Sequence, residues 1–513
     1  MTTTLLRSAD RTELAPRSGV AVLLLILLAA GLCSALHAVA KPFWYDEICT
    51  VILCRLPSAS EIWQALANAA DTNPPPFYFV ARLARYLVSD DHLGYRLPSI
   101  LGLLGAVSCI YVVLAKRVSR LSALVGATFV LCTPLAAYAY EARPYALMVG
   151  CISGAILAWQ RIDDSRLYSV VVALTLAAAV SLHYYALLVW PAFLAAEASV
   201  LVFQRRFRTF AWAAILVGAF PLLFFAPLLL IIRQYYGQNF WAKPSINELL
   251  IAYDWIFPFY GRLGAIFAVG LTAIVLYLSI ARAARSREPD QPQVNVNVLP
   301  LPEQTLTLML LWLPVFAVAA AMVSHGGMTE RYMLPTVLGG ALALGYVVDR
   351  MPGAGKAILL ILSLTYYASS SVDVVRELLK GSLLETRASA TREVKAIIAR
   401  SDLPVVISSG FQFLPIAYYT QSLSNGKLFA IADPGEATKV LKTDSVDLAL
   451  LVLRRYFPLQ VEDYDGFISG HHEFLLVVGG ASEWLPARLM RDGYNLSPVS
   501  TGGMSVYKVT ARP

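Results

Sequence analysis

Five short polar clusters interrupt the long apolar stretches of the chain, and each carries groups suited to acid–base or anion chemistry. The first is Phe43-Trp44-Tyr45-Asp46-Glu47. Adjacent carboxylates beside a membrane suit a general base that takes a proton from a hydroxyl. The same pair also suits a helix start, with Asp46 as cap and Glu47 favouring the dipole. The second cluster runs Asp71-Thr72-Asn73-Pro74-Pro75-Pro76-Phe77-Tyr78, polar groups followed by prolines that stiffen a helix entrance. In the third, Tyr140-Glu141-Ala142-Arg143-Pro144-Tyr145, Glu141 and Arg143 are two residues apart. They do not face each other on one helix. Glu141 then suits a sugar hydroxyl and Arg143 a phosphate oxygen, with an internal salt bridge as the alternative. The fourth is Thr329-Glu330-Arg331-Tyr332-Met333-Leu334-Pro335. Its guanidinium fork matches phosphate, and the alternative is snorkelling to headgroups. The fifth, His183-Tyr184-Tyr185, offers a lone imidazole, more often a structural hydrogen bonder than a catalyst.

The elements that position these clusters are set by composition. Of 513 residues, 58% are hydrophobic and 15% are charged, and the mean hydropathy is +0.61. Soluble globular chains are less apolar and more charged. The excess falls between residues 19 and 371, in runs long enough to cross a bilayer. The net charge of +7 comes from Lys and Arg clusters between those runs, which points to membrane topology rather than nucleic acid. The six cysteines form no CxxC, and Cys49 and Cys54 are awkwardly spaced for a disulfide on a helix. The six histidines are scattered and no HExxH occurs, so no metal set is evident, though a carboxylate-bound divalent cation stays open.

About eleven spans are expected, near 19–39, 97–115, 121–138, 144–160, 167–182, 185–203, 209–231, 263–281, 304–324, 332–348 and 357–371. The first resembles a signal peptide at Ala38-Val39-Ala40, but its length favours a retained helix. Basic residues gather on alternate connections: Arg7, Arg11 and Arg17; Lys116, Arg117 and Arg120; Arg161 and Arg166; Arg205, Arg206 and Arg208; Arg282, Arg285 and Arg287; Arg350 and Lys356. The bias puts residues 1–18 in the cytoplasm and the five polar clusters on the other face of a plasma membrane. The segment 73–88 holds Arg82, Arg85 and three prolines, and fits a surface helix within a long outer loop, 40–96. A second outer segment, 233–262, carries Trp241, Trp255 and Tyr260 for the headgroup zone, and residues 285–303 read as a polar, proline-rich connector.

Residues 372–513 read as an ordinary soluble domain outside the membrane. A charged helical stretch, 373–400, precedes apolar runs at 404–408, 428–432, 448–453, 474–478 and 504–509, with helical patterns between them. That alternation implies a small α/β domain. Gly479-Gly480 opens no GxGxxG and reads as a turn. The fold class expected is an all-α polytopic core, 19–371, with a C-terminal α/β domain, 372–513.

The ordered set of motifs resembles the GT-C glycosyltransferase superfamily: the acidic pair after helix one, the Pro-Pro-x-x-Tyr element of residues 74–78, Arg143-Pro144-Tyr145 and Arg331-Tyr332-x-Leu334-Pro335. The nearest branch is the group of Rgt-like galacturonosyltransferases, lipid A aminoarabinose transferases and protein O-mannosyltransferases, over roughly residues 15–371. The resemblance implies a polyprenyl-phosphate monosaccharide donor, inversion at the anomeric centre and an acceptor that is an envelope glycan, a lipid or a protein. It implies that Asp46, with Glu47 beside it, is catalytic, and that Arg143, Arg331 and Tyr332 hold the donor phosphate. Glu141, Asn73, Tyr78 and His183 then serve sugar and acceptor. Asn73 stands where relatives often carry His, and several relatives carry Asp at the position of Arg143 or Tyr145. The rival reading is a transporter or flippase of lipid-linked sugars. Such proteins often carry inverted repeats, and no repeat is visible here.

Overall fold

In the computed structural model the described residues are 16–237, 239–257, 263–285, 299–324, 326–379, 383–421, 426–479, 483–501 and 504–511. Arg7, Arg11 and most of segment 1–18, Tyr260, Arg287, most of the proline-rich connector, and Gly480 lie outside them. The chain divides into two compact units: Met1–Ala38, Arg96–Phe225 and Pro244–Val375 form one, and Val39–Tyr95, Ala226–Lys243 and Arg376–Pro513 the other.

Helices follow the apolar runs. In chain order they are α1 (Pro16–Ala40), α2 (Tyr45–Cys54), α3 (Ala59–Ala67), α4 (Pro76–Leu87), α5 (Asp91–Ala115), α6 (Arg120–Phe129), α7 (Leu135–Tyr138), α8 (Tyr145–Gln160) and α9 (Arg166–Leu182). Then come α10 (Trp190–Gln204), α11 (Thr209–Gly218), α12 (Pro221–Tyr236), α13 (Ile246–Ile256), α14 (Gly264–Arg285), α15 (Leu301–Leu311), α16 (Leu313–Ser324), α17 (Thr336–Val348), α18 (Gly353–Leu379) and α19 (Leu383–Arg400). Short polar residues open several of them. Ser58, Ser165 and Ser245 each accept a backbone N–H of the first turn of α3, α9 and α13, satisfying donors that a helix start leaves bare.

Five described helices are long and apolar enough to cross a membrane: Arg17–Ala40, Asp91–Ala115, Tyr184–Gln204, Thr209–Tyr236 and Gly353–Arg376. The pair α15 and α16, bent by 56° at Trp312, makes a sixth if counted as one span, and five shorter apolar helices accompany them. Leu24, Leu28, Leu223 and Phe224 project outward from the first and fourth, as side chains that face lipid do. α5 and α8 cross in backbone contact: a Cβ on Gly150 would strike the backbone of Gly102, and one on Gly102 that of Ala146 and Leu147. Glycine at both positions is what permits the approach.

The other unit contains a six-stranded sheet built from β1 (Val405–Ile407), β2 (Leu428–Ile431), β3 (Gln460–Glu462), β4 (Glu473–Val478), β5 (Asn495–Thr501) and β6 (Ser505–Thr510). The order is β3-β2-β1-β4-β6-β5, with the first four strands parallel, β6 antiparallel to β4 and β5 antiparallel to β6. α20 (Gly410–Thr420), α21 (Pro434–Leu441), α22 (Ser445–Leu453), α23 (Tyr464–Gly470) and α24 (Leu485–Arg491) connect them. The apolar run 448–453 is helix rather than strand. Its Leu and Ala content favours helix, where the true strands are rich in Val, Ile and Phe. One face of the sheet packs Val406, Phe429, Phe467, Phe474, Leu476 and Trp484 into a core.

Candidate functional site

Three turns of the helical unit meet around His183. The bend 141–144 carries Glu141 and Arg143 between α7 and α8. Ser99 of α5 donates its hydroxyl to the Arg143 carbonyl at 2.8 Å, which fixes that bend from below, and Arg143 itself is buried. Tyr145 opens α8 and is also buried. Its ring lies edge-on to Tyr138 and 5.1 Å from the His183 imidazole. His183 ends α9 in an extended conformation, and its Nδ1 accepts the Tyr185 N–H at 3.2 Å. The third turn, Glu330–Met333, brings Tyr332 to 5.2 Å from His183 and flat against Tyr185, whose hydroxyl donates to the Gly327 carbonyl.

Charged groups of both signs surround this cluster. Burial, with Arg143 and then Arg331 close by, pushes the His183 pKa down to about 3. The imidazole is therefore neutral near pH 7, and with Nδ1 accepting, its proton sits on Nε2. Arg331, Glu141 and Glu330 also act on the nearby Tyr138 hydroxyl. Two guanidinium groups flanking a neutral imidazole donor, walled by Tyr138, Tyr145, Tyr185 and Tyr332, make a cradle for an oxyanion. Of the residues singled out in the sequence, Glu141, Arg143, His183, Arg331 and Tyr332 are brought together here. Tyr138 and Tyr185 complete the walls. Tyr185 belongs to the marked cluster His183-Tyr184-Tyr185, whereas Tyr138 lies just before one and only its aromatic character signalled it.

Asp46, Glu47, Asn73 and Tyr78 belong to the other unit. The acidic pair is unequal. Glu47 is fully buried, and its Oε2 accepts the Trp44 N–H at 3.3 Å, so it braces the start of α2. Asp46 is only partly buried, and its backbone carbonyl accepts the Thr50 hydroxyl at 3.3 Å. α2 packs on α4, where Arg82 Nε donates to the Cys54 carbonyl at 2.7 Å. Tyr78 and Asn73 are buried, and neither amide atom of Asn73 has a hydrogen-bond partner among the described residues. The Tyr236 hydroxyl donates to the Ala69 carbonyl at 2.8 Å, tying α12 to the same loop. The loop is fastened to α20 as well: the Phe43 N–H donates to the Tyr419 hydroxyl at 2.6 Å, and the Phe43 ring stacks on His92.

Other charged groups have structural explanations. Glu197 stands inside the apolar run of α10, fully buried, yet it accepts from Trp159 Nε1 at 2.6 Å and from Arg208 at 2.5 and 3.1 Å. At the far end of α17 from Arg331, Arg117 clasps Glu303 beside a small cleft lined by Ser279, Gln304, Tyr346 and Arg350. Among the described residues, no group of three or more His, Cys, Asp or Glu side chains is arranged to hold a metal ion.

This architecture matches known proteins. A family described as dolichyl-phosphate-mannose-protein mannosyltransferase matches residues 72–231. No curated protein sequence matches the chain. ArnT from Cupriavidus metallidurans bound to undecaprenyl phosphate superposes with a TM-score of 0.58 at 12% identity, over 96% of this chain and 98% of that one. Its apo state gives 0.59, with the same identity and coverage. An oligosaccharyltransferase from Archaeoglobus fulgidus, in complex with Zn and sulfate, gives 0.47 at 12% identity, over 94% of this chain and 72% of that one. The chain thus shares the fold of ArnT, in keeping with the resemblance carried by the motif order.

Proposed function

We propose that this chain is a membrane glycosyltransferase that moves a sugar from a polyprenyl-phosphate monosaccharide to an envelope acceptor, a glycan, a lipid or a protein. The observation that carries the reading is the meeting of Arg143, Arg331 and neutral His183 in one buried, aromatic-walled cradle. Two fixed cations suit a phosphate that gains charge as it leaves. The fold match to a protein bound to undecaprenyl phosphate supports a lipid-linked donor over a nucleotide sugar.

In this reading an acceptor hydroxyl attacks the anomeric carbon while Asp46 takes its proton. The bond from that carbon to the phosphate oxygen breaks on the opposite side, and the configuration inverts. Polyprenyl phosphate departs, its new charge held by Arg143 and Arg331 and a hydrogen bond from His183 Nε2–H. Tyr332 orients the phosphate, Glu141 takes a sugar hydroxyl, and Glu47 holds the α2 start that presents Asp46. Asn73 and Tyr78 belong to the sugar and acceptor side. The cluster sits on the extracytoplasmic side of the plasma membrane, following the distribution of basic residues.

The test is incubation of purified protein with labelled polyprenyl-phosphate sugars and a cell-envelope acceptor extract, for wild type and Asp46→Asn. Transfer by wild type alone is expected. Equal transfer by both removes Asp46 as the base, and no transfer with any donor removes the function.

A further inference from the structure

Arg96 is fully buried, 0% exposed, and the transfer chemistry proposed above makes no use of it. A guanidinium cannot shed its proton there, so its charge has to be met by fixed partners. One is the carbonyl of Ala38 in the last turn of α1, to which Nη1 donates at 2.5 Å. Carbonyls at a helix end lack partners within the helix and carry the negative end of its dipole, so a buried cation suits the position.

The same guanidinium lies beside the turn of Glu141. Arg96, Ser99 and Gly102 are spaced three apart on α5 and follow one another along one side of it. Ser99 donates to the Arg143 carbonyl, and Gly102 rests against the first turn of α8. Arg96 is the next group along that side, toward Tyr140. Besides burial, Glu141 and then Arg96 act on the charge of the Tyr140 hydroxyl, in opposite senses.

Tyr140 directly precedes Glu141 and meets a second group of α1. The His37 ring stacks on it, with centroids 4.5 Å apart and planes 14° apart. His37 Nε2 and the Ser371 hydroxyl of α18 lie 3.3 Å apart, which anchors the imidazole. The last turn of α1 is thus tied to the 140–143 turn through a ring pair and through Arg96.

We propose that Arg96 is a positioning residue of the sugar site. It locks the end of α1 to the Tyr140–Glu141 turn and acts on transfer through Glu141, whose carboxylate takes a hydroxyl of the donor's sugar. The inference rests on the transferase reading above.

The test is a double-mutant cycle on transfer by the full-length protein, at varied labelled polyprenyl-phosphate sugar and varied acceptor extract. Arg96→Gln should raise the half-saturating donor concentration about 5- to 20-fold and leave that of the acceptor within about 2-fold. Arg96→Lys, which keeps the cation, should come within about 3-fold of wild type. Beside Glu141→Gln, the Arg96→Gln change should add less than about 2-fold, since the carboxylate it places is gone. Losses that multiply, or an equal rise in acceptor half-saturation, overturn the proposal and leave Arg96 a plain brace of α1. His37→Ala is a milder lesion at a half-buried residue. It should raise donor half-saturation about 2- to 5-fold and likewise add nothing beside Glu141→Gln. Donor dependence unchanged in His37→Ala and in Arg96→Gln overturns the proposal.

Amide hydrogen exchange needs no turnover. Residues 140–143 should exchange at least about 3-fold faster in Arg96→Gln and in His37→Ala than in wild type, and near the wild-type rate in Arg96→Lys. Unchanged exchange in both overturns the proposal whether or not sugar is transferred. Faster exchange together with no transfer by wild type supports the lock and removes the transferase reading alone.

Discussion

Tyr332 lies flat on Tyr185, with ring centroids 4.1 Å apart and planes 15° apart. The stack pins the late Arg331-Tyr332 turn to the turn that carries His183. Neither turn is regular helix, so their meeting depends on this ring pair and on the Tyr185 hydroxyl donated to Gly327. Aromatic pairs of this kind add about 0.5–1.5 kcal/mol beyond their burial.

Loss of Arg331 should be felt in the chemical step. Arg331→Gln is expected to lower single-turnover transfer by roughly 10²- to 10³-fold, and Arg331→Lys by less, since charge persists without the planar fork. Arg143→Lys should behave alike while keeping its buried cation. A drop only in acceptor affinity would place these groups elsewhere.

His183 should not shape the pH profile. With its pKa near 3 it stays uncharged from about pH 5 to 9. His183→Asn, whose Oδ1 can accept the Tyr185 N–H, should retain activity within about 10-fold and leave the acid limb of the profile in place. An acid limb displaced in that variant would reveal a titrating imidazole.

Asp447 makes the C-terminal domain sensitive to pH. Burial, with Asp433 and Asp444 nearby, raises it to about 7, against a hydrogen bond from Trp484 that favours its charge. A carboxyl raised on folding favours the protonated form, so its stabilising contribution is full below about pH 4 and is lost as pH rises through about 7. Asp447→Asn should therefore raise the apparent Tm of the full-length protein at about pH 8, with a gain of roughly 2–4 kcal/mol, and flatten its decline between about pH 4 and 7. An unchanged slope would show that another group governs it.

Glu436 is held from two sides, by Arg491 at 2.7 Å and Arg488 at 3.1 Å, at 2% exposure. Glu436→Ala should destabilise the domain by about 1–3 kcal/mol, since Arg491 loses its close partner while Arg488 keeps Asp492 at 2.8 Å. Limited proteolysis of residues 376–513 would register it; cleavage at the wild-type rate would count against the network.

Much of this arrangement was legible in the residues because membrane depth punishes stray charge. Arg143 and Arg331 stood out in short turns, and the structure brings both beside His183. β1, β2, β4 and β6 follow apolar runs of β-branched and aromatic residues. β3 and β5 were not legible: Gln460-Val461-Glu462 is too short to show a period, and β5 is polar and contains Pro498. Glu197 sat unremarked in an apolar run, since its partners Trp159 and Arg208 come from other elements. The division of labour between Asp46 and Glu47 was equally hidden, because only the turn of α2 decides which carboxylate reaches back to Trp44.

The crossing at Gly102 and Gly150 gives the turn at Arg143 an unexpected guardian. Ser99 reaches the Arg143 carbonyl from the same helix that rests on the opening turns of α8. One added methyl at either glycine acts as a wedge, lifting α8 away and tilting Arg143 with it. Sensitivity to substitution should thus extend to positions with no polar side chain at all, so that inheritance of the Arg143 turn is inseparable from inheritance of a bare patch of backbone.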